Sequence, residues 1–424
     1  MAHHDTGDGT DFLSRARNEP ATVPVSDAVS LLTAPEVVGR DGLVGAIVTV
    51  IEANPDQRDH AVEVLRNALS SPDPEVRNAA ATVVGSVAEN RPTLLSALTP
   101  SLVECLDDDA TLPRINATHA LMEVAPHAPD ASARGVQTLA EHLESEFPNL
   151  RELAARCLLA IAQADSASIE PAVPALLDVL PCERTGSETE PTDIDVPGKT
   201  TPGKSPVTER MADARTRRLR LRVISAETIA TVAREDPSAV PLDDRLLDAI
   251  EADVAVPVRR WATDTVAALV RSDVDNSRLA IDPLVRVVGD SNAPLAIRGV
   301  AAETLAHCAE IRFEETTAAA RSVISDLGEL LSVDDQTARA GSAALLTYLT
   351  ERFPDEASVT STAIRAALDA ESDSVRARAA FALGYVADSD DRRKLASLRE
   401  NDPSEAVRGA ADVALRETNG DPDS

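Results

Sequence analysis

One stretch of this chain matches a phosphate-binding motif. Residues 198–205 read GKTTPGKS, which fits the pattern G-x-x-x-x-G-K-[ST]. That motif cradles phosphates only when a buried strand precedes it and a helix begins at its Lys-Ser pair. Here the preceding DIDV is a weak strand pattern, and Pro206 follows the motif directly. We therefore expect no nucleotide site at these residues and no cofactor in the protein.

Neither the histidines nor the cysteines show the spacing of a catalytic or metal-binding site. The seven histidines include no HExxH pattern and no His-Glu dipeptide, and the four cysteines include no CxxC pair. Scattered cysteines are typical of a reducing compartment. No run approaches the ~18 apolar residues of a membrane span. The sequence therefore predicts a cytoplasmic protein that has no catalytic activity, metal site or membrane span.

Charge is the most pronounced feature of the composition. The chain has 71 Asp and Glu against 41 Lys and Arg, and only three of these bases are lysines, so its net charge is −30. An acid excess with few lysines is similar to the composition of halophile proteins, in which concentrated salt screens the repulsion. A surface of this sign repels phosphate backbones. Nucleic acid is therefore an unfavoured partner.

A short basic segment contrasts with this charge. Residues 214–222 read ARTRRLRLR, and their arginines are Arg215, Arg217, Arg218, Arg220 and Arg222. We expect these arginines near the start of a helix, where the helix dipole favours anions. Two interpretations stay open. Either nearby acids neutralise the arginines, or the arginines dock an acidic partner or a nucleic acid.

An arginine recurs at a regular spacing through most of the chain. Ten copies of the pattern align on Arg40, Arg77, Arg114, Arg151, Arg222, Arg259, Arg298, Arg339, Arg376 and Arg408, and the first four are 37 residues apart. Counting from each arginine as position zero, apolar residues fall at −1, +3, +4, +7, +10 and +11, and position +7 is aliphatic in every copy. This spacing predicts an amphipathic helix.

Each predicted helix follows a turn rich in Pro, Asp and Ser, and another amphipathic segment, such as HAVEVLRNAL, precedes that turn. A two-helix unit of this size cannot bury its apolar face alone, so neighbouring units must stack. The sequence therefore predicts an all-α fold, an α-solenoid of about ten two-helix repeats.

These units resemble HEAT repeats. The segment SDSVRARAAFALGYVAD, residues 372–388, is similar to the sub-type first named from phycobilisome lyases, and the resemblance covers roughly residues 24–418. It implies a right-handed superhelix whose second helices line the concave side. It also implies that the arginine pairs with an acid of the preceding turn, in its own unit or a neighbour's. Asp73, Asp335 and Asp373 are candidates for this pairing.

An insertion separates the two helices of the fifth repeat. Residues 183–210 include 15 Gly, Pro, Ser or Thr among 28 residues, a composition that cannot bury enough apolar surface to order itself. We expect a flexible tail over 1–22, a first array over 23–182, a disordered insertion over 183–210, a second array over 211–418 and an acidic tail over 419–424.

Four of the eight aromatic residues fall on the polar side of the predicted helices, together with an arginine. This candidate partner-binding patch is Trp261, Tyr348, Arg378, Phe381 and Tyr385. Such residues dominate binding energy at interfaces, although packing between repeats is an open alternative. We expect a non-catalytic scaffold that binds a protein partner on its concave face. The alternatives are a chromosome- or nucleic-acid-associated subunit acting through Arg215–Arg222 and, third, an enzyme of the lyase class.

Overall fold

Helices account for nearly all of the described backbone. The computed structural model describes residues 9–33, 40–181, 206–253 and 255–418, and none of these residues forms a β-strand. The predicted all-α fold is therefore confirmed. Within the same ranges, every helix is too short or too polar to cross a membrane.

The described helices form two compact units. The N-terminal unit contains α1 (Gly9–Asn18), α2 (Val25–Ser30), α3 (Arg40–Ala53), α4 (Arg58–Leu69), α5 (Pro74–Asn90), α6 (Pro92–Leu95), α7 (Thr99–Glu104), α8 (Thr111–Val124), α9 (Pro129–Ser132), α10 (Val136–His142), α11 (Pro148–Ala164), α12 (Val173–Val179) and α13 (Pro206–Glu235).

The C-terminal unit contains α14 (Asp244–Ala252), α15 (Val256–Ser272), α16 (Val274–Gly289), α17 (Leu295–Ile311), α18 (Phe313–Ala320), α19 (Ile324–Ser332), α20 (Gln336–Arg352), α21 (Pro354–Ala357), α22 (Ser361–Ala367), α23 (Asp373–Val386), α24 (Ser389–Asn401) and α25 (Glu405–Glu417). Short turns of 3-10 helix join several of these helices in both units, and the longest is Ser166–Ala172.

Ten of these helices carry the repeating arginine, and we call them the second helices. They are α3, α5, α8, α11 and α13 in the N-terminal unit and α15, α17, α20, α23 and α25 in the C-terminal unit. Within each unit, every second helix contacts the next one along the chain, and the first helix of each repeat packs against its own second helix. Helix pairs stacked in chain order form an α-solenoid, as the sequence predicts.

The side chains at position +7 lie at the centre of the core. Nine of the ten, from Ile47 to Leu383, are 0% exposed, and Leu415 in the last helix is half-buried. Burying one such side chain stabilises the fold by about 1.5–3 kcal/mol. The alanines at +3 and +4, such as Ala80 and Ala154, are buried as well. Their small side chains let neighbouring second helices pack closely.

Most second helices begin at the same distance before the repeating arginine. In eight of them the repeating arginine is the fourth residue of the helix. Pro74 and Pro148 occupy the first position of α5 and α11, where the missing N–H would have no partner in any case. Asp73 caps α5 by accepting from the backbone N–H of Glu75. Local chemistry therefore sets where these helices start.

In eight of the ten second helices, the side chain of the repeating arginine binds the turn or helix that comes before. The Arg77 guanidinium donates to the carbonyl oxygens of Ser71 (2.7 Å) and Pro72 (3.1 Å). Both residues lie in the turn after α4, so the arginine supplies hydrogen-bond donors to carbonyl groups outside the helical ladder. Equivalent bonds to carbonyl oxygens of the preceding helix or turn are made by Arg114, Arg151, Arg259, Arg298, Arg339, Arg376 and Arg408.

Four of these arginines also bind an aspartate of the next repeat. The pairs are Arg77–Asp108, Arg259–Asp290, Arg298–Asp326 and Arg376–Asp402. In the first pair, the two nitrogen–oxygen distances are 2.5 and 2.7 Å, and the hydrogen bond from Arg77 holds the pKa of Asp108 below its usual range. The Asp108 carbonyl oxygen accepts from Arg114 at 2.7 Å. One aspartate therefore links two successive arginines.

The three aspartates expected to pair with their own arginines have other roles. Asp73 and Asp335 cap α5 and α20, and the Asp373 carboxylate accepts from the backbone N–H of Ser374. An N-cap carboxylate is already engaged by backbone N–H groups. The pairing within a repeat is therefore wrong for Asp73 and Asp335. Asp373 makes no ion pair with Arg376, although its charge adds to the hydrogen bond with Asp402 in raising the pKa of Arg376. Pairing with a neighbouring repeat is confirmed.

Two expected boundaries also differ. Helix α1 begins at Gly9, inside the expected flexible tail, and α13 begins at Pro206, inside the expected insertion. Helix α13 packs on α11 and α12 and so completes the N-terminal unit, although the sequence analysis assigns residues from 211 to the second array. Proline suits the first position of a helix, which explains the earlier start. The insertion over 183–205 and the tail from 419 lie outside the described residues.

The aspartate pairing predicts unequal effects of two similar substitutions. Asp108→Asn removes the charge that faces Arg77, whose side chain is only 18% exposed. Breaking such a mostly buried pair costs about 3 kcal/mol, which should lower the midpoint of urea unfolding followed by circular dichroism. Asp73→Asn is the matched control, because Asn caps helices as well as Asp does. An equal or greater loss from Asp73→Asn would contradict the pairing.

Candidate functional site

A groove crosses the second helices of the C-terminal unit. Its volume is about 510 Å³, within the range of about 300–1,000 Å³ that is usual for binding sites. Its walls come from α15, α17, α20, α23 and α25. All of these helices belong to one unit, so the groove is a feature of that unit alone.

The groove residues occupy equivalent positions of successive repeats. Most lie at +5, +9 or +12 from the repeating arginine, and they are Glu303, Ala344 and Phe381 at +5, His307 and Tyr348 at +9, and Arg271, Glu310 and Glu351 at +12. Because the second helices stack in order, equivalent residues form rows across them. The groove is therefore the polar side of the stack, away from the core positions +3, +4 and +7.

Tyr348 is held at the middle of the groove. Its hydroxyl donates to Oε1 of Glu310 at 3.2 Å, and its ring meets Phe313 edge to face with centroids 6.4 Å apart. Burial, followed by the charge of Glu310, raises the pKa of Tyr348 to about 12. The side chain is therefore neutral at physiological pH, with a fixed orientation and a half-exposed ring.

One end of the groove combines aromatic rings with carboxylates. Phe381 and Tyr385 of α23 pack edge to face with centroids 5.7 Å apart. Burial, followed by the charges of Glu351 and Glu417, raises the pKa of Tyr385 to about 12. Burial and then Glu417 also raise the pKa of Glu351. Glu351 in the groove and Glu417 beside it therefore give this region negative potential.

Elsewhere in the groove the acids have partners. The carboxylate of Glu303 lies 3.7 Å from the guanidinium of Arg378, which also donates to the carbonyl oxygen of Ala340 at 3.0 Å. His307 Nδ1 lies 3.0 Å from Oε2 of Glu310. At the opposite end, Arg271 is exposed. Charge therefore changes along the groove, from basic at α15 to acidic between α20 and α25.

The structure brings together part of the predicted aromatic patch. Tyr348, Arg378 and Phe381 line the groove, and Tyr385 packs against Phe381 beside it. Trp261 does not line the groove. It lies on α15, half-buried, with the Arg260 guanidinium 5.4 Å from its ring centroid. The binding role of these residues stays a prediction.

Sequence analysis did not identify the charged residues of the groove. His307, Glu310 and Glu351 occupy positions +9 and +12 of their repeats. The tyrosines at +9 already mark this face of the helices, so comparing position +9 in every repeat would have found His307. Position +12 lies beyond the apolar pattern, −1 to +11, that defines the repeat. No aromatic residue occupies +12 in any repeat, so the sequence gives no reason to select this position.

The basic segment lies on α13, a helix that starts well before it. Arg215, Arg217, Arg218 and Arg220 are exposed, whereas Arg222 is 5% exposed. Helix α13 begins at Pro206, so Arg215 is ten residues into the helix rather than in its first turn. The expected effect of the helix dipole is therefore absent, because that effect fades beyond the first turn. Arg217 donates to Oδ1 of Asn149 at 3.0 Å.

The described cysteines are poor nucleophiles, and the described acidic residues do not group into a metal site. Burial raises the pKa of Cys105 to about 11 and that of Cys308 to about 12, so neither thiol is a nucleophile at neutral pH. Across residues 9–33, 40–181, 206–253 and 255–418, no three His, Cys, Asp or Glu side chains group as metal ligands. The phosphate-binding motif over 198–205 lies outside these ranges.

Two glycines bring α17 and α20 unusually close together beneath the groove. A Cβ on Gly299 would lie 2.5 Å from the carbonyl oxygen of Thr337, and a Cβ on Gly341 would overlap the carbonyl oxygen of Gly299. The helices therefore touch through their backbones at this point. This contact fixes the spacing of the rows that carry His307 and Tyr348.

Comparison with known proteins supports the repeat architecture. Residues 74–123 match a family model described as a HEAT-like repeat, and they run from α5 into α8. The match supports a HEAT-repeat protein. A crystal structure of an engineered protein is similar to this chain at 17% identity and a TM-score of 0.38, with 68% of this chain and 96% of that chain covered. No curated protein matches the chain.

The close glycine contact predicts opposite effects of two alanine substitutions at the same repeat position. Gly299→Ala should destabilise the C-terminal unit by about 1–3 kcal/mol, because the methyl group meets backbone atoms that cannot move aside. Gly409→Ala is the matched control, since nothing lies within 4 Å of its Cβ position, and should stabilise the helix by up to about 1 kcal/mol. Urea unfolding measures both, and equal stabilities would contradict the close approach.

Proposed function

We propose that this chain is a non-catalytic HEAT-repeat scaffold that binds a protein partner in the groove of its C-terminal unit. The observation that carries this proposal is the row of half-exposed aromatic side chains across adjacent second helices, with Tyr348 and Phe381 lining the groove. The chain has only eight aromatic residues. Aromatic side chains that lie outside the core of such a chain imply contact with a binding partner.

The dimensions of the groove favour a peptide segment over a small molecule. Neighbouring packed helices lie about 8–10 Å apart, so the four second helices α17, α20, α23 and α25 span roughly 25–30 Å. A surface of this length fits several residues of a bound segment, with separate side chains on separate rows. The resemblance to HEAT repeats implies that the second helices line the concave side, and a concave surface would enclose such a segment.

The fixed side chains of the groove also suit recognition. Tyr348 is oriented by Glu310 and Phe313, and Arg378 is held by Ala340. Pre-ordered side chains lose less conformational entropy when a partner binds. Aromatic residues and arginine in such positions supply most of the binding energy at protein interfaces.

Removing the two tyrosines should abolish partner binding. The double substitution Tyr348→Ala and Tyr385→Ala should reduce capture of the native partner at least tenfold, because interface tyrosines each contribute about 2 kcal/mol or more. The measurement is affinity capture from native lysate with quantitative mass spectrometry. Circular dichroism confirms that the variant stays helical.

Trp261→Ala is the control for that experiment, because Trp261 is half-exposed on the same unit but does not line the groove. Capture should be retained in this variant. Retained capture in the double-tyrosine variant would remove the groove as the docking site, and loss only in Trp261→Ala would move the site towards α15.

A second candidate function is a nucleic-acid-associated subunit. Residues 212–220 of α13 are all exposed, so this part of the helix buries no face in the core of the unit. Four of these nine residues are arginines, which are the side chains that bind phosphate groups most readily. The net charge of −30 opposes this function, so it ranks second.

A gel shift tests this second candidate. Arg215→Gln with Arg220→Gln should reduce binding to a short DNA duplex at low salt at least tenfold and lower the salt dependence, because each phosphate contact releases counterions. Arg66→Gln with Arg156→Gln is the matched control, since both arginines are exposed on other helices of the same unit. The absence of any shift at any salt concentration, or equal losses in the two pairs, would remove the candidate.

A further inference from the structure

The proposed docking groove has uncompensated charge at one end. Helix α23 lies between α20 and α25. Glu351 of α20 lines the groove together with Phe381 of α23, and Tyr385 packs on Phe381. Glu417 occupies on α25 the position +9 that Tyr385 occupies on α23, and these two helices pack together. Among the described residues neither carboxylate has an arginine or lysine partner or a hydrogen-bond donor, whereas Glu303 faces Arg378 at 3.7 Å and Glu310 accepts from the Tyr348 hydroxyl at 3.2 Å. Glu351 and Glu417 are therefore the carboxylates of this region that the chain leaves available to a partner.

The two carboxylates also repel one another. The charge of Glu417 raises the pKa of Glu351, in addition to the effect of burial. Like charges held together by packing favour any cation that enters between them. A partner that supplies a positive charge here removes the repulsion and gains two oppositely charged contacts.

The aromatic rings beside these carboxylates suit the same kind of ligand. Tyr385 and Phe381 are half-exposed and fixed by their edge-to-face contact. The face of an aromatic ring attracts a guanidinium or ammonium group within about 6 Å. Carboxylates on two neighbouring helices and a ring on the helix between them therefore offer a cation both kinds of favourable contact.

We infer that the end of the groove lined by Glu351 and Phe381, together with Tyr385 and Glu417 beside it, binds a cationic side chain, preferentially arginine, on a basic segment of the protein partner. This inference rests on the proposed function and specifies the chemistry of the segment. Arginine is preferred over lysine because its planar guanidinium stacks on a ring while its N–H groups reach carboxylates. The basic end at Arg271 sets the direction of the segment, with an acidic or neutral residue near α15.

The test uses the full chain and synthetic peptides, with binding followed by fluorescence anisotropy. The probe is a labelled Gly-Ser peptide that carries three arginines, and its lysine and glutamine versions are the comparisons. We expect the arginine peptide to bind most tightly, the lysine peptide more weakly and the glutamine peptide at least about tenfold more weakly than the arginine peptide. Measurements at low and molar salt, each with circular dichroism, separate screening of the charges from loss of helicity.

Variants locate the binding to the acidic end. Glu351→Gln and Glu417→Gln should each weaken arginine-peptide binding about fivefold or more. Tyr385→Ala should have a similar effect, whereas Tyr385→Phe should retain binding because it keeps the ring. Glu89→Gln is the matched control. Glu89 is the +12 residue of α5 in the N-terminal unit, it is exposed, and its substitution changes the net charge equally.

Three results would overturn the inference. Equal weakening by Glu89→Gln and Glu351→Gln would mean that the net charge of the chain alone attracts the peptide. Equal binding of the glutamine and arginine peptides would remove the preference for a cation. Full competition by spermine at low concentration would identify a free polyamine as the ligand instead of a protein segment.

Failure of this inference is distinguishable from failure of the proposed function. If the double-tyrosine variant loses its native partner while the peptides bind without regard to charge, the groove remains the docking site and its partner segment is not basic. If the double-tyrosine variant keeps its partner while Glu351→Gln still weakens arginine binding, the acidic end recognises cations independently of that partner.

Discussion

The arrangement of the repeats depends on the arginine at the start of each second helix. Its guanidinium has several N–H donors in a fixed geometry, and it uses them in two directions. In eight repeats one set binds carbonyl oxygens in the turn before the second helix or at the end of the preceding helix, and in four repeats the other set binds an aspartate of the next repeat. The first contact fixes the two helices of one repeat, and the second fixes the register between repeats. Position zero of the repeat is an arginine in all ten copies.

Register between repeats has a consequence for the surface. When second helices stack without slipping, one residue from each repeat contributes to a continuous row, so His307, Tyr348, Tyr385 and Glu417 all occupy position +9. The core positions +3, +4 and +7 are restricted to small or aliphatic residues. The outward positions +5, +9 and +12 are free of that restriction. A repeat array can therefore change its binding surface one row at a time while its core stays the same.

The fold and much of its chemistry follow from local sequence. Aliphatic residues at +7 with alanine at +3 and +4 leave few structures other than stacked helices, and the ten second helices appear where the arginines predict them. The aromatic residues outside the core also follow from helical periodicity, since Tyr348 and Tyr385 occupy the same position in two adjacent repeats. The start of α13 did not follow, because the Gly, Pro, Ser and Thr content of residues 183–210 obscured a helix that begins at Pro206.

The sequence by itself determined the helical class, the repeat, the core positions and the polarity of each helix face, because these depend on spacing along one chain. The tertiary structure alone decided which aspartate each arginine binds, since Asp108 is 31 residues from Arg77 whereas Asp73 is only four residues away. It also decided that Gly299 meets the backbone of α20, that Trp261 does not line the groove, and that Glu351 and Glu417 act together on Tyr385. These outcomes depend on distances between residues of different repeats, and such distances are set by how closely the helices pack.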